Sequence, residues 1–205
     1  MRFKIFIICL SSVCIATSCF AQQILPIYNS KSLQNSTLNI FSDSGNLSIT
    51  AYNANIIKLT LSKEKITPDT TSTLKPVNVR VTQNLESIFF TTDSLIIAVA
   101  KFDLSIKIMN KLEKLLTENK SFFINNPKQN LLYSLEKEEV FLSVSKRGKT
   151  SKKLDDKFLF KSNKGYFLSF EKSENSKAEV INNTFSFKQN KEPISYLFFT
   201  KDLIN

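Results

Sequence analysis

Any chemistry in this chain would have to proceed without imidazole or indole, because its 205 residues include no histidine and no tryptophan. Lacking histidine, it has neither the commonest general base nor the commonest metal ligand, and a Ser-His nucleophile pair cannot be assembled. Three glycines are too few for a phosphate-cradling loop. The acidic groups are Glu136, Glu138 and Glu139, and the adjacent pair Asp155-Asp156. Paired carboxylates can cleave glycosidic bonds or hold calcium. Neither group has the spacing of a calcium loop, and Asp155-Asp156 reads as a turn ahead of Phe158. The densest basic run is Lys146-Arg147-Gly148-Lys149-Thr150-Ser151-Lys152-Lys153. Such a run could hold an acidic polymer, but it lacks the interleaved aromatics that stack bases and reads as a solvated loop. The expectation is no catalytic residue, no cofactor, no metal and no nucleic-acid partner, with the binding residues unassigned.

The first residues read as an export signal. Arg2 and Lys4 precede an apolar run from Ile5 to Ile15, and small residues stand at the −3 and −1 positions of a cut after Ala21. The run is shorter than the roughly 20 residues a membrane helix needs. The expected organisation is a signal peptide over 1–21 and one domain over 22–205, placed in the periplasm or outside the cell. Read as a loose lipobox, Ala16-Thr17-Ser18-Cys19 would instead anchor the chain by lipid at Cys19. Cys9, Cys14 and Cys19 all lie in this stretch, so the domain expected after it has no thiol and no disulfide, despite a compartment that permits them. The formal charge is +10; without Arg2 and Lys4, 26 basic side chains face 18 acidic ones, a charge of +8.

The elements that would position a site are strands. Apolar residues alternate with polar ones at Leu38-Ile40, Leu47-Ile49-Ala51, Val77-Val79-Val81, Leu95-Ile97-Val99, Phe102-Leu104-Ile106-Ile108 and Val140-Leu142-Val144, then at Phe158-Phe160, Tyr166-Leu168-Phe170, Phe185-Phe187 and Tyr196-Phe198. Period two means strands with one face buried. Asp43-Ser44-Gly45-Asn46 and Asn163-Lys164-Gly165 are turn signals between such runs. Many short strands at this spacing predict an all-β, antiparallel two-sheet sandwich. One segment is ambiguous: Ile108, Leu112, Leu115 and Leu116 fit a helical stripe or two strands around Asn110-Lys111.

Three stretches resemble one family. Leu47 to Thr60, which contains Tyr52 and Asn55-Ile56-Ile57-Lys58-Leu59, is similar to the opening strand pair of the N-terminal sandwich of glycoside hydrolase family 31, the α-glucosidase and α-xylosidase family. Phe89 to Val99, with Thr92-Asp93-Ser94-Leu95, resembles its T-D-x-L strand. Phe158 to Phe170, with Ser162-Asn163-Lys164-Gly165-Tyr166, resembles its S-x-K-G-Y hairpin, and Phe185-Ser186-Phe187 and Ile194 to Phe199 resemble the strands that follow. The resemblance implies a galactose-mutarotase-like supersandwich, with strands across Phe102–Leu116. It places Asn205 about where the family's catalytic barrel begins, so no catalytic residue carries over. The implied function is a non-catalytic carbohydrate-binding or hydrolase-accessory sandwich. Its partners would be a carbohydrate, a glycoside hydrolase, or a second copy meeting an apolar surface that a barrel would cover. The alternatives are a remnant of a longer hydrolase without independent activity, and a polyanion-binding surface protein.

Overall fold

A computed structural model describes residues 27–64, 66, 77–124, 129–143, 157–171, 176–190 and 193–200. The proposed signal, the basic run, Asp155-Asp156 and the end of the chain lie outside these residues. Among the described residues, sixteen strands form two antiparallel sheets of eight. The first sheet begins with a meander of β1 (Tyr28–Gln34), β2 (Thr37–Ser42), β3 (Asn46–Asn53) and β4 (Ile56–Ser62). It continues in space through β16 (Ile194–Thr200), β13 (Tyr166–Glu171), β12 (Lys157–Ser162) and β11 (Phe141–Ser143). The second sheet is a longer meander of β5 (Arg80–Gln83), β6 (Ser87–Thr91), β7 (Leu95–Ala100), β8 (Ile106–Asn110), β9 (Leu115–Ile124) and β10 (Gln129–Ser134), closed by β15 (Thr184–Gln189) and β14 (Lys177–Ile181). The late strand β16 lies between β4 and β13, so the first sheet joins distant parts of the sequence.

Alternation explains the core. Leu38, Ile40, Leu47, Ile49, Ile57 and Leu59 from the first sheet, and Ile88, Phe90, Ile97, Val99, Ile106 and Ile108 from the second, are all buried. Aromatic rings fill the space under β10, β13, β15 and β16: Phe170 stacks on Phe187 at 4.2 Å, and Tyr133 meets Tyr196 edge-on at 6.1 Å. Each such ring contributes about 1.5–3 kcal/mol by burial.

The alternation misleads in three places. Phe102 and Leu104 precede β8 in a turn, because Leu104 takes the left-handed conformation, φ 53°. At β11, Phe141 packs against the core, while Val140 just before the strand and Leu142 within it are exposed. Residues 77–79 precede β5 rather than form it, although Val77, Val79 and Val81 pack against the core as the alternation places them. The ambiguous segment is a hairpin. Asn110 Oδ1 accepts from the Leu112 and Lys114 amides, both at 3.0 Å. Ile108 pairs with Thr117 and Met109 with Leu115, so Leu116 is an extra bulge residue; it places neighbouring leucines where a helical stripe would have them.

Candidate ligand-binding site

The acidic group Glu136, Glu138 and Glu139 does not converge as a cluster. Glu139 is buried, whereas Glu136 and Glu138 are exposed. The Glu139 carboxylate is saturated by its neighbours. Ser162 Oγ donates to Oε1 at 2.7 Å and the Tyr166 hydroxyl donates to it at 2.5 Å. The Glu136 amide donates to Oε2 at 3.2 Å, and Lys164 Nζ lies 3.5 Å from it. Lys164 also pairs with Glu136 at 2.6 Å. Asn163 ties the same two segments together, donating from Nδ2 to the Glu138 carbonyl at 2.9 Å and accepting from the Val140 amide at 3.2 Å. Thus Ser162, Lys164 and Tyr166 clamp the β10–β11 connection onto the β12–β13 hairpin. Gly165 permits the tight turn with φ 89°. Burial, then the bond to Glu139, pushes the Tyr166 phenol far above its ordinary pKa. A carboxylate with both oxygens engaged and a phenol held protonated have nothing left to offer a substrate, so this node is structural.

Open polar surface lies instead on the two outer faces. On the first sheet, Tyr52, Lys58, Ser169, Glu171 and Ser195 surround a notch of about 180 Å³. On the second sheet, a wider cleft of about 420 Å³ is built from four neighbouring strands. Because Ile88, Val99, Ile106 and Ile108 point into the core, Ser87, Ala98, Ala100 and Lys107 point out. Ser87 lies opposite Ala100, Ala98 opposite Lys107, and Lys107 opposite Glu118. The two alanines leave the floor low. The walls are Glu86, Ser87, Ser105, Lys107 and Glu118, and Phe102 and Asp103 form the lip. Lys107 sits 3.6 Å from Glu118, which leaves Glu86 and Asp103 as excess negative charge.

The lip is rigid. Leu104, buried and left-handed, plugs the β7–β8 turn into the core. That conformation costs a non-glycine residue about 1–2 kcal/mol and is held by its amide bond to the Ala100 carbonyl at 3.0 Å. The Ala100 amide donates to the Ser105 carbonyl at 2.9 Å, and the Ser105 amide to Asp103 Oδ1 at 2.8 Å. Lys101 is fixed to the next turn, its amide donating to the Glu86 carbonyl at 2.8 Å and its ammonium to the Asn84 carbonyl at 2.6 Å. Phe102 is thereby presented to solvent, 64% exposed. Sequence reasoning missed this cleft. Its signal was the small pair Ala98-x-Ala100 in the outward phase of β7, with Phe102 two residues on in the same phase.

No protein-family model matches the chain, and no curated protein does. Solved structures do. A dextranase of glycoside hydrolase family 31 from Flavobacterium johnsoniae superposes with a TM-score of 0.73 at 16% identity, over 88% of this chain and 27% of its own. The chain shares the fold of one part of that enzyme. An α-xylosidase of the same family from a soil metagenome matches with a TM-score of 0.63 at 12% identity, over 85% of this chain and 32% of its own. The cycloalternan-forming enzyme of Listeria monocytogenes matches with a TM-score of 0.60 at 13% identity, over 86% and 21%. The chain therefore spans about a quarter of the length of the family 31 dextranase with part of which it shares its fold.

Proposed function

We propose that this chain is an exported, non-catalytic accessory sandwich that binds carbohydrate. The observation that carries the reading is the shared fold: a dextranase, an α-xylosidase and a cycloalternan-forming enzyme each contain this sandwich across at least 85% of the chain. The site chemistry supports it. With no histidine in the sequence and Glu139 committed to the fold, the described residues leave an open cleft suited to holding a polyhydroxylated ligand. The basic start of the chain, Arg2 and Lys4 before Ile5–Ile15, supports export.

The test is a glycan-array screen on the purified chain, with light scattering after size exclusion and a hydrolysis assay on α-glucosides and α-xylosides. The expected result is binding to glucose- or xylose-based oligosaccharides by a monodisperse protein, with no sugar released. A folded chain that binds no glycan, or one that hydrolyses the glycosides, overturns it.

A further inference from the structure

We propose that the cleft across β6, β7, β8 and β9 is the sugar subsite, and that it takes a neutral oligosaccharide with Phe102 stacked on one ring. This rests on the carbohydrate-binding reading and adds where binding occurs and which class of sugar is held.

Size separates the two outer clefts. Small-molecule sites usually run to several hundred Å³; the cleft at Phe102 reaches about 420 Å³, and the notch at Tyr52 about 180 Å³. Shape and chemistry agree with the volume. A pyranose has an apolar C–H face and a rim of hydroxyls. Here an exposed aromatic ring stands beside a floor of Ala98 and Ala100. The carboxylates of Glu86, Asp103 and Glu118 and the hydroxyls of Ser87 and Ser105 surround it. Carboxylates accept from sugar hydroxyls in charge-assisted bonds, about twice as strong as neutral ones. The lip is ordered in advance by Leu104 and its backbone bonds, so stacking on Phe102 costs little further order.

Charge then sets the class. The whole chain carries +10, so bulk electrostatics would draw polyanions. The cleft opposes this: three carboxylates face one lysine, which is itself 3.6 Å from Glu118. A uronic acid or sulfated sugar would place its charge among like charges. The cleft thus selects neutral sugars on a basic protein.

The experiment is an NMR titration of the full chain and of F102A with three probes: maltotriose, xylotriose and trigalacturonate. Thermal melting of both proteins verifies that the variant is folded. For the unmodified chain, at least one neutral trisaccharide binds at least tenfold more tightly than trigalacturonate, and F102A loses that binding at least tenfold with an unchanged melting temperature. The double variant E86Q/D103N narrows the preference over trigalacturonate. If the neutral sugar binds F102A as well as the unmodified chain, the subsite is wrong while the accessory reading stands. If trigalacturonate binds equally well, the neutral class is wrong. If no probe binds the folded chain, this subsite and its ligand class fail, and the glycan array then decides the broader reading.

Discussion

Two parts of this sandwich bring carboxylates, hydroxyls and an aromatic ring together, with opposite consequences. At Glu139 every acceptor is engaged: Ser162, Tyr166, Lys164 and the Glu136 amide surround one buried carboxylate. In the Phe102 cleft the same groups are only partly engaged, Asp103 Oδ1 by the Ser105 amide and Glu118 by Lys107, around a floor of two alanines. The difference is saturation. A buried charge must be fully partnered to be tolerated, and full partnership leaves nothing for a ligand. An open carboxylate keeps water as its partner and can exchange it for a sugar hydroxyl. Residue type alone does not separate structure from binding here; exposure and partner count do.

The contrast breaks most visibly at Glu139. E139A removes the acceptor of two buried hydroxyls and strips Lys164 of one partner, so the expected loss is about 3–5 kcal/mol of unfolding free energy by urea denaturation. A loss below about 1 kcal/mol would contradict the assignment of this node to the fold.

Alkali probes the same interior. Burial raises the Tyr133, Tyr166 and Tyr196 phenols; Tyr133 is also raised by its neighbour Tyr196, and Tyr166 by Glu139. A raised phenol favours the folded state only through its protonated form. Its contribution is complete below the unfolded value of about 10 and is lost as pH rises above it toward the folded values. The expected outcome is cooperative alkaline unfolding that begins above about pH 10, with phenolate absorbance and circular dichroism changing together. Phenolate from these three residues appearing without loss of the sheet signal would refute their burial.

The cleft should behave in the opposite way. F102A, at a residue 64% exposed, shifts stability by no more than about 0.5 kcal/mol, whereas F170A, in the aromatic core, costs about 3–5 kcal/mol. K107M is a second small effect. Its ion pair with Glu118 is half exposed on the lysine side, so its loss costs less than about 1 kcal/mol in the same urea melt.

How much of this was readable beforehand depended on which face a residue served. The buried phase of most strands could be read from alternation, because Leu47-Ile49-Ala51 or Tyr166-Leu168-Phe170 leaves one consistent set of apolar positions. It failed where local backbone geometry shifted the phase. Phe102 keeps the outward phase of β7 while left-handed Leu104 turns into the core, and the bulge at Leu116 mimics a helical stripe. Around β11, Val140 and Leu142 alternate properly but face solvent at the sheet edge, because Phe141 packs against Phe160 and Phe185. The turn residues Asn163-Lys164-Gly165 were legible as a turn, but the convergence of Ser162, Lys164 and Tyr166 on Glu139 was not. It depends on a pairing across more than twenty residues. The cleft was the least legible feature, since two alanines and a serine carry meaning only once β6, β7 and β8 lie side by side.

The most direct test of the account is chemical-shift mapping on the isotopically labelled chain during titration with the neutral trisaccharide that binds best. The account predicts saturable shifts at Glu86, Ser87, Ala98, Ala100, Phe102 and Asp103, with Glu139, Ser162 and Tyr166 unmoved. Shifts centred on the Glu139 node or on the Tyr52 notch, with the Phe102 lip silent, would contradict it.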